Sequence, residues 1–189
     1  MLNMKDHWER VERALAKLGC QTEIGLNAGA TQDSIQELER HVGVELPQSL
    51  KGVLLQHDGQ AARGVGLIFG HQMLSVAEIR SNWDVWRSID EAAMNEDCAD
   101  FMSSLPTGVI KPQYTNPKWI PLAHDWSGNH IGLDFDPDRD GTAGQVISFG
   151  RDEDQKQLKA NSFDEFWRHF AKSLNAAKWN GDYLDWDDT

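Results

Sequence analysis

The sequence predicts an α+β domain in which a central, mostly antiparallel sheet is flanked by helices. Three observations carry that prediction. Apolar residues recur at three- and four-residue steps through the N-terminal half. Residues 118–150 then read as strand, turn, strand, Gly- and Asp-rich turn, strand. A strongly amphipathic helix follows Ser162.

The elements follow in chain order. Trp8, Val11, Leu15 and Leu18 fall on one face of a helix over 2–18, and Gly19 stops it. Residues 21–30 read as a loop or short extended segment. Thr31 caps a second helix whose Ile35, Leu38 and Val42 share a face, with Gly43 at its end. Pro47 opens a third helix that buries Leu50, Val53 and Leu54 and ends near His57-Asp58-Gly59. Residues 64–70, GVGLIFG, have the composition of a buried strand. Ser75 and Glu78 form a capping box before a fourth helix with Ile79, Trp83 and Trp86. Residues 96–116 read as a loop with one helical turn.

The meander comes next. Residues 119–123 form one strand, and Ser127-Gly128-Asn129 turn the chain. Residues 130–136 form the second strand, with Ile131, Leu133 and Phe135 alternating inward. Residues 137–144 turn again and 145–149 make the third strand. Ser162 and Glu165 cap the last helix, whose Phe163, Phe166, Trp167, Phe170 and Leu174 make one apolar stripe. The expected organisation is a single domain over 1–189. Its core spans about 31–175, the N-terminal helix 2–18, and an acidic, aromatic tail 176–189.

Composition excludes several classes of function. The 189 residues hold 18 Lys plus Arg against 30 Asp plus Glu, a formal charge of −12. Such a surface lacks the clustered cations that contact nucleic acid directly or an anionic membrane. It suits a basic protein partner, because opposite potentials steer association. Cys20 and Cys98 stand in unrelated contexts, which is no disulfide framework. The charged N-terminus has no signal-peptide core and no apolar run would span a bilayer, so the chain reads as cytoplasmic.

Catalytic motifs fare poorly. Asp136, Asp138 and Asp140-Gly141 match the start of a calcium loop. The twelfth position is then Ile147, and the flanks are strands, so a solvated turn explains the pattern better. His7, His41, His57, His71, His124, His130 and His169 form no zinc signature. His124-Asp125 beside His130 could gather at one turn, but no nucleophile accompanies them. Gly64-x-Gly66-x-x-Phe69-Gly70 fails the dinucleotide fingerprint at its third glycine, and no nucleophile elbow or phosphate loop is present. No catalytic residue, metal or cofactor is expected.

Candidate binding residues lie on turns. Trp126, in a turn, is the exposed-anchor candidate, whereas Trp83 and Trp86 fit the core. Asp125, Asp138 and Asp140, with Asp152, Glu153 and Asp154 after the third strand, would make an acidic partner-binding patch. Arg151 to Lys156 otherwise reads as a solvated loop. Trp179, Tyr183 and Trp186 form a stripe that docks back on the domain or presents a partner motif.

The ordered set resembles the SUKH superfamily, the Smi/Knr group. The matching pieces run from about 31 to 174. They are the acidic helix before Leu46-Pro47, His57-Asp58-Gly59 where the family has Asn-Gly, and Met73 to Ile79 as a strand leading into a capped helix. Trp119 to Asp125, Gly128-Asn129, Leu133-Asp134, Gly144-Gln145-Val146 and Ser162-Phe163-x-Glu165-Phe166 complete the set. The resemblance implies a non-enzymatic binding domain. Bacterial members are largely immunity proteins against toxins, often nucleases, which would make the partner a basic toxin domain. Fungal members act as regulators in cell-wall assembly and signalling. A metal-dependent hydrolase using Asp134, Asp136, Asp138 or His124 is the third hypothesis, and a homo-oligomer stays open.

Overall fold

The computed structural model describes residues 4–61 and 65–186, with side chains from Trp8 onward. The side chain of His7, together with Gly64, Asp187 and Asp188, lies outside the described set.

Helix α1 (Met4–Leu18) buries Trp8, Val11, Ala14 and Leu15 along its predicted face. The segment expected to be a loop or short extended stretch instead holds a one-turn helix, α2 (Gln21–Ile24), which buries Ile24. Helix α3 (Gln32–Val42) starts where the Thr31 hydroxyl accepts the Ser34 N–H and stops at Gly43. Pro47 is the residue just before α4 (Gln48–Gln56), one position earlier than predicted. Its φ of −54° suits either place.

The predicted strand at 64–70 is not one in its described part. Residues 65–70 form a turn, and strand β1 is Gln72–Met73. The buried Gln60 explains why. Its Nε2 donates to the Ile24 and Val65 carbonyls, and its Oε1 accepts the Leu67 and Met73 N–H groups. One side chain thus supplies the partners that a neighbouring strand would otherwise give. Phe69 is left at a φ of 49°, rare for a bulky residue.

Helix α5 (Val76–Arg87) begins with the predicted capping box, and the Asp58 carboxylate also accepts the Val76 N–H at 2.6 Å. Gly59 permits that approach, because a Cβ there would lie 2.3 Å from the Ser75 nitrogen. Two short elements occupy the expected loop: α6 (Glu91–Asp97) and β2 (Ser103–Leu105). The meander is β3 (Trp119–His124), β4 (Asn129–Asp134) and β5 (Gln145–Gly150), within two residues of prediction at every end. A further strand, β6 (Gln155–Ala160), takes in the last two residues of the predicted acidic loop. Helix α7 (Phe163–Leu174) follows, and the tail forms a small ribbon, β7 (Lys178–Trp179) with β8 (Leu184–Asp185).

The sheet order is β1-β3-β4-β5-β6-β2, antiparallel except for the β2–β6 pair. Its two faces bury different cores. Ile131, Leu133 and Val146 join the main core with α1, α3, α4 and α7. Trp119, Ile147 and Phe149 meet Trp86 and Ile110 on the opposite face. Central strands covered on both sides read as continuous apolar runs, which is why Val146-Ile147 and Ile120 alternate poorly. Trp179 and Trp186 pack against the main core, as the docking alternative expected, while Tyr183 of the same stripe stays exposed. No helix among the described residues is long and apolar enough to cross a membrane.

Candidate protein-binding surface

The most distinctive surface is the end of the sheet where the β3–β4 and β5–β6 turns meet. Asp125 organises the first turn. Its carboxylate accepts the Ser127 N–H at 2.8 Å, the Asn129 N–H at 3.0 Å and the Asn129 side-chain amide at 2.8 Å. Partial burial works to raise the Asp125 carboxyl. The donors of Asn129 and Ser127 outweigh it and hold the group below the ordinary carboxylate range. Asn129 then joins the two turns, because its Oδ1 accepts the Asp152 N–H at 2.9 Å, while the Arg151 N–H reaches the Gly128 carbonyl.

The closed turn leaves Trp126 at a φ of 67° with 55% of its surface exposed. Its ring lies over His124 at 4.2 Å. A bulky residue in the left-handed region costs about 1–2 kcal/mol, and burial offsets little of that here. Asp152, Glu153 and Asp154 follow on the second turn. Among the described residues Asp152 has Arg151 at 4.0 Å, and Glu153 and Asp154 have no ion pair.

Asp138 and Asp140 are elsewhere. They occupy the β4–β5 turn, at the far end of the six-residue strand β4, about 20 Å from the ridge on strand geometry. The single continuous acidic patch expected from the sequence is therefore two patches. The chain's acids alternate along sequence, but a strand carries successive turns to opposite ends of the sheet. Asp140 pairs with Arg139 at 3.2 Å, and the Asp138 carboxylate accepts the Arg139 N–H.

The remaining carboxylates of the Asp alternation have separate protein partners. Asp134 is fully buried and accepts from Gln145 Nε2 at 2.8 Å and from the Asp136 N–H; burial pushes it up against those donors. Asp136 accepts from Asn116 and pairs with Lys111 at 2.6 Å, which lower it. Among the described residues no three His, Cys, Asp or Glu side chains gather as metal ligands. His124 and His130 do come together, with ring centroids 6.3 Å apart. Burial lowers both, and His130 falls to about 4, with the His124 charge adding to the effect. Both are therefore neutral near pH 7.

Sequence reasoning missed a cleft on the main-core face at the same end. It measures about 310 Å³ and is lined by Phe69, His71, Ile131, Ser148, Glu153, Lys159, Phe166 and His169. The available signal was Ser148, a hydroxyl inside the apolar run Val146-Ile147-Ser148-Phe149.

A model of the SMI1/KNR4 family (SUKH-1) matches residues 29–169. The Schizosaccharomyces pombe "Cell wall biosynthesis/cell cycle regulator smi1" is 32% identical over 93% of this chain and 37% of its own length. The Neurospora crassa "Glucan synthesis regulatory protein" is 28% identical over 91% of the chain and 38% of its own. For the Saccharomyces cerevisiae "Cell wall assembly regulator SMI1" the figures are 30%, 86% and 39%. The chain thus spans about two fifths of the length of these relatives.

Proposed function

We propose that this chain, which belongs to the SMI1/KNR4 family (SUKH-1), is a non-enzymatic, cytoplasmic protein-binding module that regulates cell-wall assembly. The relatives named above as regulators support this reading over toxin neutralisation. The partner-binding surface is the ridge of Asp125, Trp126, Asp152, Glu153 and Asp154. The observation that carries it is Trp126. A tryptophan held in a strained turn conformation with more than half of its surface exposed contributes little to the fold. Aromatic anchors within a charged rim dominate binding energy at interfaces.

The test is a photo-reactive phenylalanine at position 126, with position 138 as control, in cells of the source organism. Capture from 126 alone of a protein that acts in wall synthesis or its signalling supports the reading. Equal capture from both positions, or none, sinks it.

The second reading, an immunity protein that neutralises a toxin, rests on the charge of −12, which a basic toxin domain would complement. Co-expression with a toxin encoded beside its gene should then protect growth. Failure to protect leaves the regulatory reading alone.

A further inference from the structure

The cleft beside the ridge is separate from Trp126, which lies over His124 on the other side of the sheet end. Its depth follows from the strand that floors it. On β5 the residues facing the main core run Val146, Ser148, Gly150, large to small, and Ser148 pairs in register with Ile131. Val146 and Ala160 share the main core with the apolar face of helix α7, and the hollow beyond them is lined by Ser148, Ile131, Phe166 and His169.

The opposite wall is Phe69. Its ring contacts Phe166 at 6.1 Å, Phe170 at 5.8 Å and Trp186 at 4.9 Å, and His169 stacks on it at 5.7 Å. Four rings pack around a side chain whose backbone is in a disfavoured conformation, so the wall is already formed before anything binds. A hollow of about 310 Å³ sits at the small end of the range for binding pockets and suits one large side chain.

The charges on the rim narrow the choice of occupant. Glu153 lines the cleft with only the Ser148 hydroxyl at 3.5 Å and no cation within 4.0 Å among the described residues. Lys159, also in the lining, donates to the Gln157 amide oxygen at 3.0 Å. Asp152 and Asp154 flank Glu153, so three carboxylates outnumber Lys159 at that rim, while the Lys156 ammonium is buried behind the turn against the Glu153 carbonyl and over the Trp119 ring.

We propose that this cleft seats one large apolar side chain of a partner segment, and that a Lys or Arg next to it in that segment pairs with Glu153. The proposal rests on the protein-binding reading and names the recognition chemistry beside the ridge. Burial of the apolar residue against Ile131, Phe69 and Phe166 supplies affinity, and the unpaired carboxylate selects a basic neighbour.

The experiment pans a phage-displayed library of random dodecapeptides against the full chain, then titrates the enriched peptides. The expected consensus is an aromatic or long aliphatic residue adjacent to Lys or Arg. Ser148→Leu, which fills the hollow, and Glu153→Lys, on an exposed turn that keeps its backbone contacts, should each weaken binding about ten-fold or more. Asp138→Asn, on the β4–β5 turn at the other end of the sheet, should leave peptide binding unchanged. A consensus without that pair, peptides insensitive to Glu153→Lys, or no enrichment overturns the proposal. None of these touches the cross-linking result at position 126, so the two readings fail independently.

Discussion

At the residue scale, two buried ionisable groups make the fold pH-sensitive in opposite parts of the range. His130 is 3% exposed among Trp86, His124 and Phe149. Burial, with His124 beside it, lowers it from 6.5 to about 4. Above 6.5 both the folded and unfolded forms are neutral. Between 6.5 and about 4 the unfolded chain binds a proton that the folded one refuses, so stability falls as pH drops through that window. The full effect is about 3 kcal/mol. Denaturant unfolding at several pH values should show this loss, and His130→Phe should flatten it. An equal slope in the variant would assign the effect to other groups. Lys156 is fully buried, with its ammonium against the Glu153 carbonyl, the Met102 sulfur at 3.5 Å and the Trp119 ring at 6.0 Å. Burial lowers it from 10.5 to about 8, so at neutral pH it is charged in both states and its desolvation costs stability. Lys156→Met should stabilise the protein by about 1–3 kcal/mol. The variant should also lose the rise in stability that the parent shows between about 8 and 10.5. A lower melting temperature for the variant would mean that the carbonyl and ring contacts outweigh desolvation.

At the scale of elements, the β3–β4 turn separates folding from binding. Gly at position 126 relieves the left-handed strain of about 1–2 kcal/mol and gives up the contact with His124. Trp126→Gly should therefore leave stability within about 1 kcal/mol of the parent, while partner affinity falls roughly 30-fold, the loss of a hot-spot anchor worth about 2 kcal/mol. A large drop in melting temperature would show the ring serving the fold. This turn was legible in the sequence because Asp125, Gly128 and Asn129 are the residue types that close turns by local bonds. The helices were legible for the same kind of reason: Thr31, Ser75 and Ser162 cap where their spacing to the apolar stripe said they would. The failures have a common cause. Residues 65–70 have strand composition, but Gln60 satisfies the Val65 carbonyl and the Leu67 N–H from five and seven residues away. Strands β2 and β6 pair in parallel across about fifty residues, and neither Ser103-Ser104-Leu105 nor Gln155 to Ala160 has an alternating pattern strong enough to announce it. The cleft was hidden likewise, because its walls come from β4, β5, β6, α7 and the turn before β1.

At the scale of the whole molecule, the charge of −12 sets up the last prediction, because the two acidic turns stand at opposite ends of the sheet. Their separation of about 20 Å is roughly twice the Debye length at 0.1 M salt, so a partner docked at one end hardly senses the other. Raising salt from about 0.1 M to about 1 M shortens that length from roughly 10 Å to roughly 3 Å. Association with the partner should slow about ten-fold or more, while dissociation, governed by the buried aromatic anchor, should change much less. Neutralising the ridge with Asp152→Asn, Glu153→Gln and Asp154→Asn together should flatten the salt dependence. The pair Asp138→Asn and Asp140→Asn, already partly matched by Arg139, should leave it intact. Stopped-flow binding of the three proteins across salt concentrations makes the comparison. If the distal pair flattens the curve and the ridge triple does not, the contact lies on the β4–β5 turn and the ridge is only a solvated edge. If neither does, long-range charge has no part in steering the encounter, and the partner's basicity ceases to be implied by the acid surplus.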